Sequence, residues 1–260
     1  MTHRQLLAAL AVASMGALGS CKSASKDARP TIKVAAAADL ASAFKEIGDA
    51  FEQETGTRVV FTFGSTGLLS KQIIEGAPFD VFAAANVSFV DEVTQGGKCD
   101  RETKALYGRG RLAVWTKKGG GPRTLEELKD PRYQKIAIAN PEHAPYGKAA
   151  KEALTSAGVW DEVASRVVFG ENVQQTLQFA QTENADVAIV ALSLAIVSEG
   201  SYFVIEEGAH KPLDQAMVVC AEGKTRDRAA AFEAFVNSEK GREIMKRYGF
   251  LLPGEKTAAN

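Results

Sequence analysis

Two hydroxyl side chains, Ser65 and Thr66, lie between two glycines where a predicted strand meets a predicted helix. Residues 59–63 are β-branched and aromatic, as in a buried strand, and residues 68–75 have apolar positions at helical spacing. The hydroxyls therefore precede a helix N-terminus, where main-chain N–H groups lack partners and the dipole favours negative charge. The loop lacks the lysine of a GxxxxGK[ST] motif, so it is not a nucleotide P-loop. We consider two interpretations of this loop: it is a binding site for a small oxyanion, or it is a simple capped turn.

Four junctions of this kind occur, each leading from a short apolar strand through small or polar residues into a helix. They are Ala38-Asp39 and residues 64–67, 144–147 and 171–173. If all four meet at one cleft, their unpaired N–H groups form a cage of neutral donors for an oxyanion that is released unchanged. Any chain of alternating strands and helices also contains such junctions, so the pattern alone leaves both interpretations open.

Strands alternate with helices along the chain, which predicts an α/β fold with mostly parallel sheets. We expect Asp39 to be the N-cap of a helix over residues 40–54. The strands are too many for one sheet, which favours two lobes joined near residues 111–117 and 214–220, with the C-terminal helices returning to the first lobe. Ligands of such sheets bind at the carboxyl ends of strands, so the cleft between the lobes is the expected site.

Composition excludes several classes of function. The chain has 260 residues, 45% of them apolar, and a formal net charge of −1, which gives no reason to expect a nucleic-acid partner. An enzyme is not expected, because GxSxG, HExxH and paired-carboxylate motifs are absent from the sequence. His143 has no nucleophile at a recognisable spacing, and we interpret it as a hydrogen-bonding loop residue near the cleft.

The N-terminus has the pattern of a secretory signal. His3 and Arg4 precede an apolar stretch over residues 6–18, followed by Leu-Gly-Ser and Cys21. This ending resembles a bacterial lipobox, which predicts a signal peptide over residues 1–20, lipidation of Cys21 and a polar tether over residues 21–30. The alternative is a plain signal peptide with a cysteine there by chance.

Two further cysteines, Cys99 and Cys220, could pair in an oxidising compartment. Cys220 closes an apolar run and Cys99 lies in a glycine-containing loop. We favour the interpretation in which they are unpaired and Cys220 is a small buried hydrophobe. The sequence contains no CxxC motif and no Cys/His metal spacing.

Five segments carry a resemblance to a known family: VAAAADL, FGSTGLLSKQIIEGAPFDVFAAA, NPEHAPYGKAAKEAL, GENV and KRYGF. They come in the order and spacing of the periplasmic molybdate-binding proteins, which serve ABC importers, and the resemblance covers residues 31–252. It implies a two-lobed periplasmic binding protein of type II topology. Lobe I would comprise residues 31–113 and 215–260, and lobe II residues 114–214. The ligand implied is molybdate or tungstate, held in the interlobe cleft by hydroxyls and N–H groups without a counter-cation.

Carried onto this chain, the resemblance places the ligand-binding set at Asp39, Ser65, Thr66, Tyr146, Val173 and Ala191. Tyr146 and Val173 match main-chain donors, and Thr66 matches a binding hydroxyl. Asp39 stands where many members have serine, and Ala191 where some have tyrosine. A carboxylate repels a dianion; our hypothesis is that Asp39 caps its own helix and offers only main-chain N–H, the alternatives being a protonated Asp39 or a ligand that is not a dianion.

The expected protein is therefore a periplasmic or cell-surface lipoprotein, monomeric, that passes molybdate or tungstate to the permease of an ABC importer. No cofactor is expected, and metal enters only as the centre of the oxyanion. A receptor for sulfate or phosphate and a ligand-gated sensor lipoprotein are the alternatives.

Overall fold

The computed structural model describes residues 29–255, which form two lobes, each a sheet flanked by helices. The strands are β1 Thr31–Ala37, β2 Arg58–Gly64, β3 Val81–Ala84, β4 Ala105–Gly110, β5 Leu112–Thr116, β6 Ile136–Ala139, β7 Val167–Gly170, β8 Val187–Ala191, β9 Ser201–Val204 and β10 Leu213–Val219. The helices are α1 Ala41–Thr55, α2 Thr66–Ile74, α3 Val87–Gln95, α4 Pro145–Ser156, α5 Trp160–Val163, α6 Val173–Gln181, α7 Leu192–Ala195, α8 Gly223–Val236 and α9 Glu239–Arg247. Short 3₁₀ turns are at Ala38–Leu40, Arg101–Thr103, Glu126–Lys129, Ala164–Arg166 and Glu207–Ala209.

Each lobe contains one five-stranded sheet, in the orders β2-β1-β3-β10-β4 and β7-β6-β8-β5-β9. The two-lobed α/β fold is as predicted. The sheets are mixed rather than mostly parallel: in each, two strand pairs are parallel and two antiparallel. The reason is the crossing of the chain between lobes. The chain leaves the first sheet after β4 and returns to it as β10. Strand β10 is antiparallel to both of its neighbours, β3 and β4.

The first lobe is completed by the C-terminal helices, as expected. Helix α8 packs on β1 and β10, and α9 packs on α1. Phe232 of α8 meets Phe44 and Phe51 of α1 edge to face, with ring centroids 6.0 and 5.3 Å apart. Such pairs add specific geometry to apolar burial, so the end of the chain is built into the core of the first lobe.

Strand β4 is absent from the sequence prediction. Its sequence, ALYGRG, carries two glycines, which weaken a strand pattern. The structure shows the reason for one of them: a Cβ at Gly110 would lie 2.0 Å from the Tyr146 hydroxyl oxygen. Gly110 is therefore required by close packing against a side chain of the other lobe.

Cys99 and Cys220 form a disulfide, so the unpaired interpretation is wrong. Both sulfurs belong to the first lobe: Cys99 follows α3, and Cys220 directly follows β10. The strand-end position that suggested a buried hydrophobe is also what brings Cys220 beside Cys99.

Within residues 29–255, no helix combines the length and the apolar character needed to cross a membrane. The predicted signal peptide over residues 1–20, the lipidation site Cys21 and nearly all of the tether lie outside the described residues.

Candidate functional site

The four strand-to-helix junctions line one small pocket between the lobes. The first lobe supplies Ala37, Ala38, Asp39, Gly64, Ser65, Thr66 and Ala85, and the second supplies Ala144, Pro145, Tyr146, Asn172 and Val173. The small side chains among them let main-chain N–H groups reach the pocket surface. The lobes are closed on one another, since several hydrogen bonds join them directly.

Thr66 begins α2 and is 1% exposed. Its hydroxyl oxygen accepts a hydrogen bond of 3.1 Å from the main-chain N–H of Ala85. That bond fixes the oxygen and leaves the hydroxyl proton available for donation. Thr66 is thus a preoriented neutral donor on the pocket wall.

Ser65 also lines the pocket, but its hydroxyl is engaged across the cleft. It donates to the main-chain carbonyl of His143 at 2.7 Å and lies 2.9 Å from Nδ1 of the same residue. The Gly67 N–H donates to that carbonyl as well, at 3.0 Å. Ser65 and Gly67 therefore join the two lobes, and His143 is the hydrogen-bonding loop residue that its sequence position indicated.

Two helices of the second lobe begin at the pocket. Tyr146 is in the first turn of α4, and Val173 is the first residue of α6, so neither N–H has an acceptor within its helix. Asn172 caps α6 by accepting from the N–H groups of Gln174 and Gln175. The Asn172 side chain does not accept from the Val173 N–H, and the ligand-donor role that the resemblance implies for this N–H stays a prediction.

Asp39 does not cap its helix, and that hypothesis is wrong. The residue lies in a 3₁₀ turn that precedes α1, with no side-chain cap at either N-terminus. Its wholly buried carboxyl group points to the other lobe, where Oδ2 accepts from the Tyr146 hydroxyl at 2.9 Å. Oδ2 also accepts from Nε2 of Gln215 at 2.7 Å. The carboxyl group therefore forms tertiary hydrogen bonds to Tyr146 and Gln215 instead of the helix cap that the local sequence favours.

Burial raises the pKa of Asp39 to about 6, although hydrogen bonds from Gln215 and Tyr146 act in the opposite direction. Burial and the nearby Asp39 carboxylate also hold the pKa of Tyr146 well above its ordinary value, so this phenol is a neutral donor. The cluster therefore gains a proton more readily than it loses one.

Two residues of the site were missed by the sequence prediction. Gln215 is 0% exposed on β10, and the Ser193 hydroxyl of α7 donates to the main-chain carbonyl of Asp39 at 2.7 Å. One signal was available for Gln215: it is an uncharged polar residue within the apolar run LDQAMVV. Nothing in the local sequence marks Ser193.

Ala191, the remaining predicted site residue, is fully buried at the end of β8 opposite Leu112 and is not part of the pocket lining. In the described part of the chain, no group of three or more His, Cys, Asp or Glu side chains is placed to hold a metal ion. The neutral donors of the pocket suit reversible binding of a small anion, whereas its one buried carboxyl group, when ionised, opposes such binding.

Two lobes with a donor-lined pocket between them define a solute-binding protein. The chain belongs to the family described as bacterial extracellular solute-binding protein, whose model matches residues 32–251. Members of this family bind solutes and are not enzymes.

Among its relatives, the molybdate-binding protein ModA of Azotobacter vinelandii is 33% identical over 226 residues, 85% of this chain and 90% of that protein. YvgL of Bacillus subtilis, provisionally named an ABC transporter substrate-binding lipoprotein, is 31% identical over 240 residues, 90% of this chain and 92% of that protein. The structure of a periplasmic molybdate-binding protein from Azotobacter vinelandii superposes with a TM-score of 0.81 at 27% identity, covering 85% of this chain and 99% of that one.

Proposed function

We propose that this protein is an extracytoplasmic receptor that captures molybdate or tungstate and delivers it to an ABC importer. The observation that carries the proposal is the meeting of four strand-to-helix junctions on one closed pocket between the lobes. Thr66 would donate a hydrogen bond from its hydroxyl to an oxygen of the anion. Tyr146 and Val173 would donate hydrogen bonds from their main-chain N–H groups. The similarity to molybdate-binding relatives over 85% of the chain supports the choice of ligand.

Each predicted ligand contact has a defined place in this proposal. Ser65 would contribute chiefly by closing the lobes, because its hydroxyl is bonded to His143. Asp39 faces the site as a carboxyl group rather than as a helix cap. Ala191 would contribute no donor. Thr66 would therefore supply a larger share of the side-chain hydrogen bonds than it would in a site with a hydroxyl residue at each of these positions.

Calorimetric titration of residues 22–260 with molybdate, tungstate, sulfate and phosphate tests the proposal. We expect molybdate and tungstate to bind with Kd below about 1 μM, since a scavenging receptor must bind at trace concentration; that Kd corresponds to about −8 kcal/mol. Tighter binding of sulfate or phosphate would instead establish the alternative receptor. Failure of all four anions to bind would contradict both.

The cellular context is part of the proposal. Lipidation at Cys21 would hold the protein at the outer face of the membrane, and a monomer would deliver its ligand to the permease. We retain the lobe boundaries of residues 31–113 with 215–260, and 114–214, as part of the proposal. The chain changes sheets between the end of β4 at Gly110 and the start of β5 at Leu112, and again before β10 begins at Leu213, which is within a few residues of these boundaries. Radiolabelled palmitate incorporation in wild type but not in Cys21→Ser would test the anchor. A ligand-gated sensor would bind the same anion yet leave uptake unchanged when the gene is deleted.

A further inference from the structure

The buried cluster of Asp39, Tyr146 and Gln215 contains more acceptor sites than donors. Its three available hydrogens are the Tyr146 hydroxyl proton and the two on Nε2 of Gln215. They form three bonds: Tyr146 to Asp39 Oδ2, Gln215 to Asp39 Oδ2, and Gln215 to the Tyr146 hydroxyl oxygen at 3.2 Å. Oδ1 of Asp39 and Oε1 of Gln215 remain buried without a partner on another residue.

Unpaired buried acceptors destabilise a structure, and an unpaired buried charge does so more strongly. Both donors to Oδ2 are neutral, so nothing in the cluster neutralises an ionised Asp39. A proton on this carboxyl group removes its charge and supplies the missing donor. Because Oδ2 already accepts two bonds, Oδ1 is the oxygen left to carry the proton.

The same conclusion follows from the ligand side. Asp39 lines the pocket together with Thr66, Tyr146 and Val173. A dianion beside an ionised carboxylate in a closed pocket meets strong repulsion. A neutral carboxylic acid at that position is instead a hydrogen-bond donor, and therefore replaces the hydroxyl that serine would provide.

We propose that Asp39 is a specificity-determining residue that binds the oxyanion as a neutral acid, donating its Oδ1 proton to a ligand oxygen. The inference rests on the proposed function and deepens it. When Asp39 is ionised in the unliganded protein, one proton enters from solvent with each dianion and leaves with it; no other bond is made or broken. A pKa of about 6 for Asp39 before ligand binding agrees with this order of events.

The other groups facing Asp39 do not account for such a proton. Tyr107 and Tyr146 are the ionisable side chains coupled to it, and burial holds the pKa of each well above its ordinary value. The turn that carries Asp39 packs against α1, β2, α6 and α7. The residues that line the pocket beside it from β2 and α6, Gly64 and Val173, are uncharged, as is Ser193 of α7, which is hydrogen-bonded to its main-chain carbonyl. Asp39 is thus the group whose charge changes.

The test is calorimetric titration with molybdate between pH 6 and pH 8, in buffers of different ionisation enthalpy, for wild type, Asp39→Asn and Asp214→Asn. Wild type should take up one proton per ligand at pH 8, and its Kd should rise by up to about tenfold per pH unit. Asp39→Asn keeps a neutral donor, so it should take up no proton, and its Kd should vary less than about twofold. Asp214→Asn, which changes a half-exposed carboxylate paired with Arg109, should behave as wild type.

Difference infrared spectroscopy gives a second measurement. The carbonyl band of a protonated carboxyl group should appear on molybdate binding to wild type and be missing in Asp39→Asn. If Asp39→Asn does not fold, Asp39→Ser, with the small hydroxyl residue common in the family, serves in its place. Tight binding by wild type without proton uptake or the infrared band would overturn the inference and leave the proposed function standing. Failure of wild type and variants alike to bind molybdate or tungstate would overturn both.

Discussion

The main-chain N–H of Gly67 in the first lobe donates to the main-chain carbonyl of His143 in the second, over 3.0 Å. A Cβ at position 67 would lie 2.7 Å from that carbonyl oxygen, closer than real Cβ atoms come to such an atom. Closure of the lobes over the pocket therefore depends on the absence of a side chain at Gly67.

Gly67→Ala should weaken molybdate binding although it removes no ligand contact. The added methyl group would hold the lobes apart, and overpacking of this kind costs about 1–3 kcal/mol, which corresponds to a loss of about five- to 150-fold in affinity. Titration gives the affinity, and small-angle scattering gives the compaction on ligand addition. Gly119→Ala is the matched control, because open space surrounds that position. Equal affinity and equal compaction in the two variants would rule out this role for Gly67.

Thr66→Ala should reduce molybdate affinity by about ten- to a hundredfold, because a hydrogen bond to a charged group contributes about 1.5–3 kcal/mol. Thr66→Ser retains the hydroxyl and should stay within about threefold of wild type. Calorimetry on both variants measures the effect, and circular dichroism confirms that each is folded. A loss below threefold in Thr66→Ala would mean that main-chain donors hold the ligand without this hydroxyl.

The local sequence was sufficient for the parts of the site that a single junction determines. Thr66 and Val173 follow strand ends and begin helices, so their positions at helix starts could be read from spacing, while their donor roles come from the resemblance and stay predictions. Asp39 shows the limit: its position before a helix favours a cap, but the carboxyl group bonds to Tyr146, 107 residues away along the chain. Contacts that exist only after the lobes close, such as Ser65 with His143 and Ser193 with Asp39, have no local signal.

The fold was also predictable in part from the sequence. Alternation of strands and helices indicated two α/β lobes, and the apolar runs located most strands. Strand β4 was missed because Gly110 serves packing against Tyr146 rather than strand formation. The antiparallel placement of β10 depends on the direction in which the chain returns, which apolar periodicity does not encode.

Removing the disulfide should lower stability and leave ligand affinity unchanged. Cys99 and Cys220 are 121 residues apart in sequence, and loss of a native disulfide costs about 2–5 kcal/mol. For the double variant Cys99→Ser/Cys220→Ser we expect Tm to fall by roughly 5–15 °C. Molybdate affinity of the folded variant should match wild type, because neither cysteine lines the pocket. An unchanged Tm, or a large loss of affinity with an intact fold, would contradict this expectation.

Glu233 should make stability depend on pH. Burial raises its pKa from 4.5 to about 7, and the charge of Asp100 adds to the effect. The folded state therefore holds this proton more tightly than the unfolded state. The resulting stabilisation is complete below about pH 4.5 and is lost as the pH rises through 7.

Glu233→Gln removes that loss, so the Tm of the variant relative to wild type should be higher at pH 8 than at pH 5. Glu243→Gln, at an exposed position on α9, is the control and should show the same small difference at both pH values. Thermal unfolding followed by circular dichroism provides the comparison. An equal Tm difference at the two pH values for Glu233→Gln would show that this carboxyl group does not carry the effect.

The return of the chain into the first sheet determines the order in which this protein can be completed after export. The strands of the second lobe lie between β4 and β10 in the chain, so that lobe can assemble from one continuous stretch. The first sheet has a gap between β3 and β4 until β10 has crossed the membrane, and Cys99 has no partner until Cys220 follows. The first sheet, whose strand ends line the anion pocket, can therefore be completed only when nearly the whole chain has emerged.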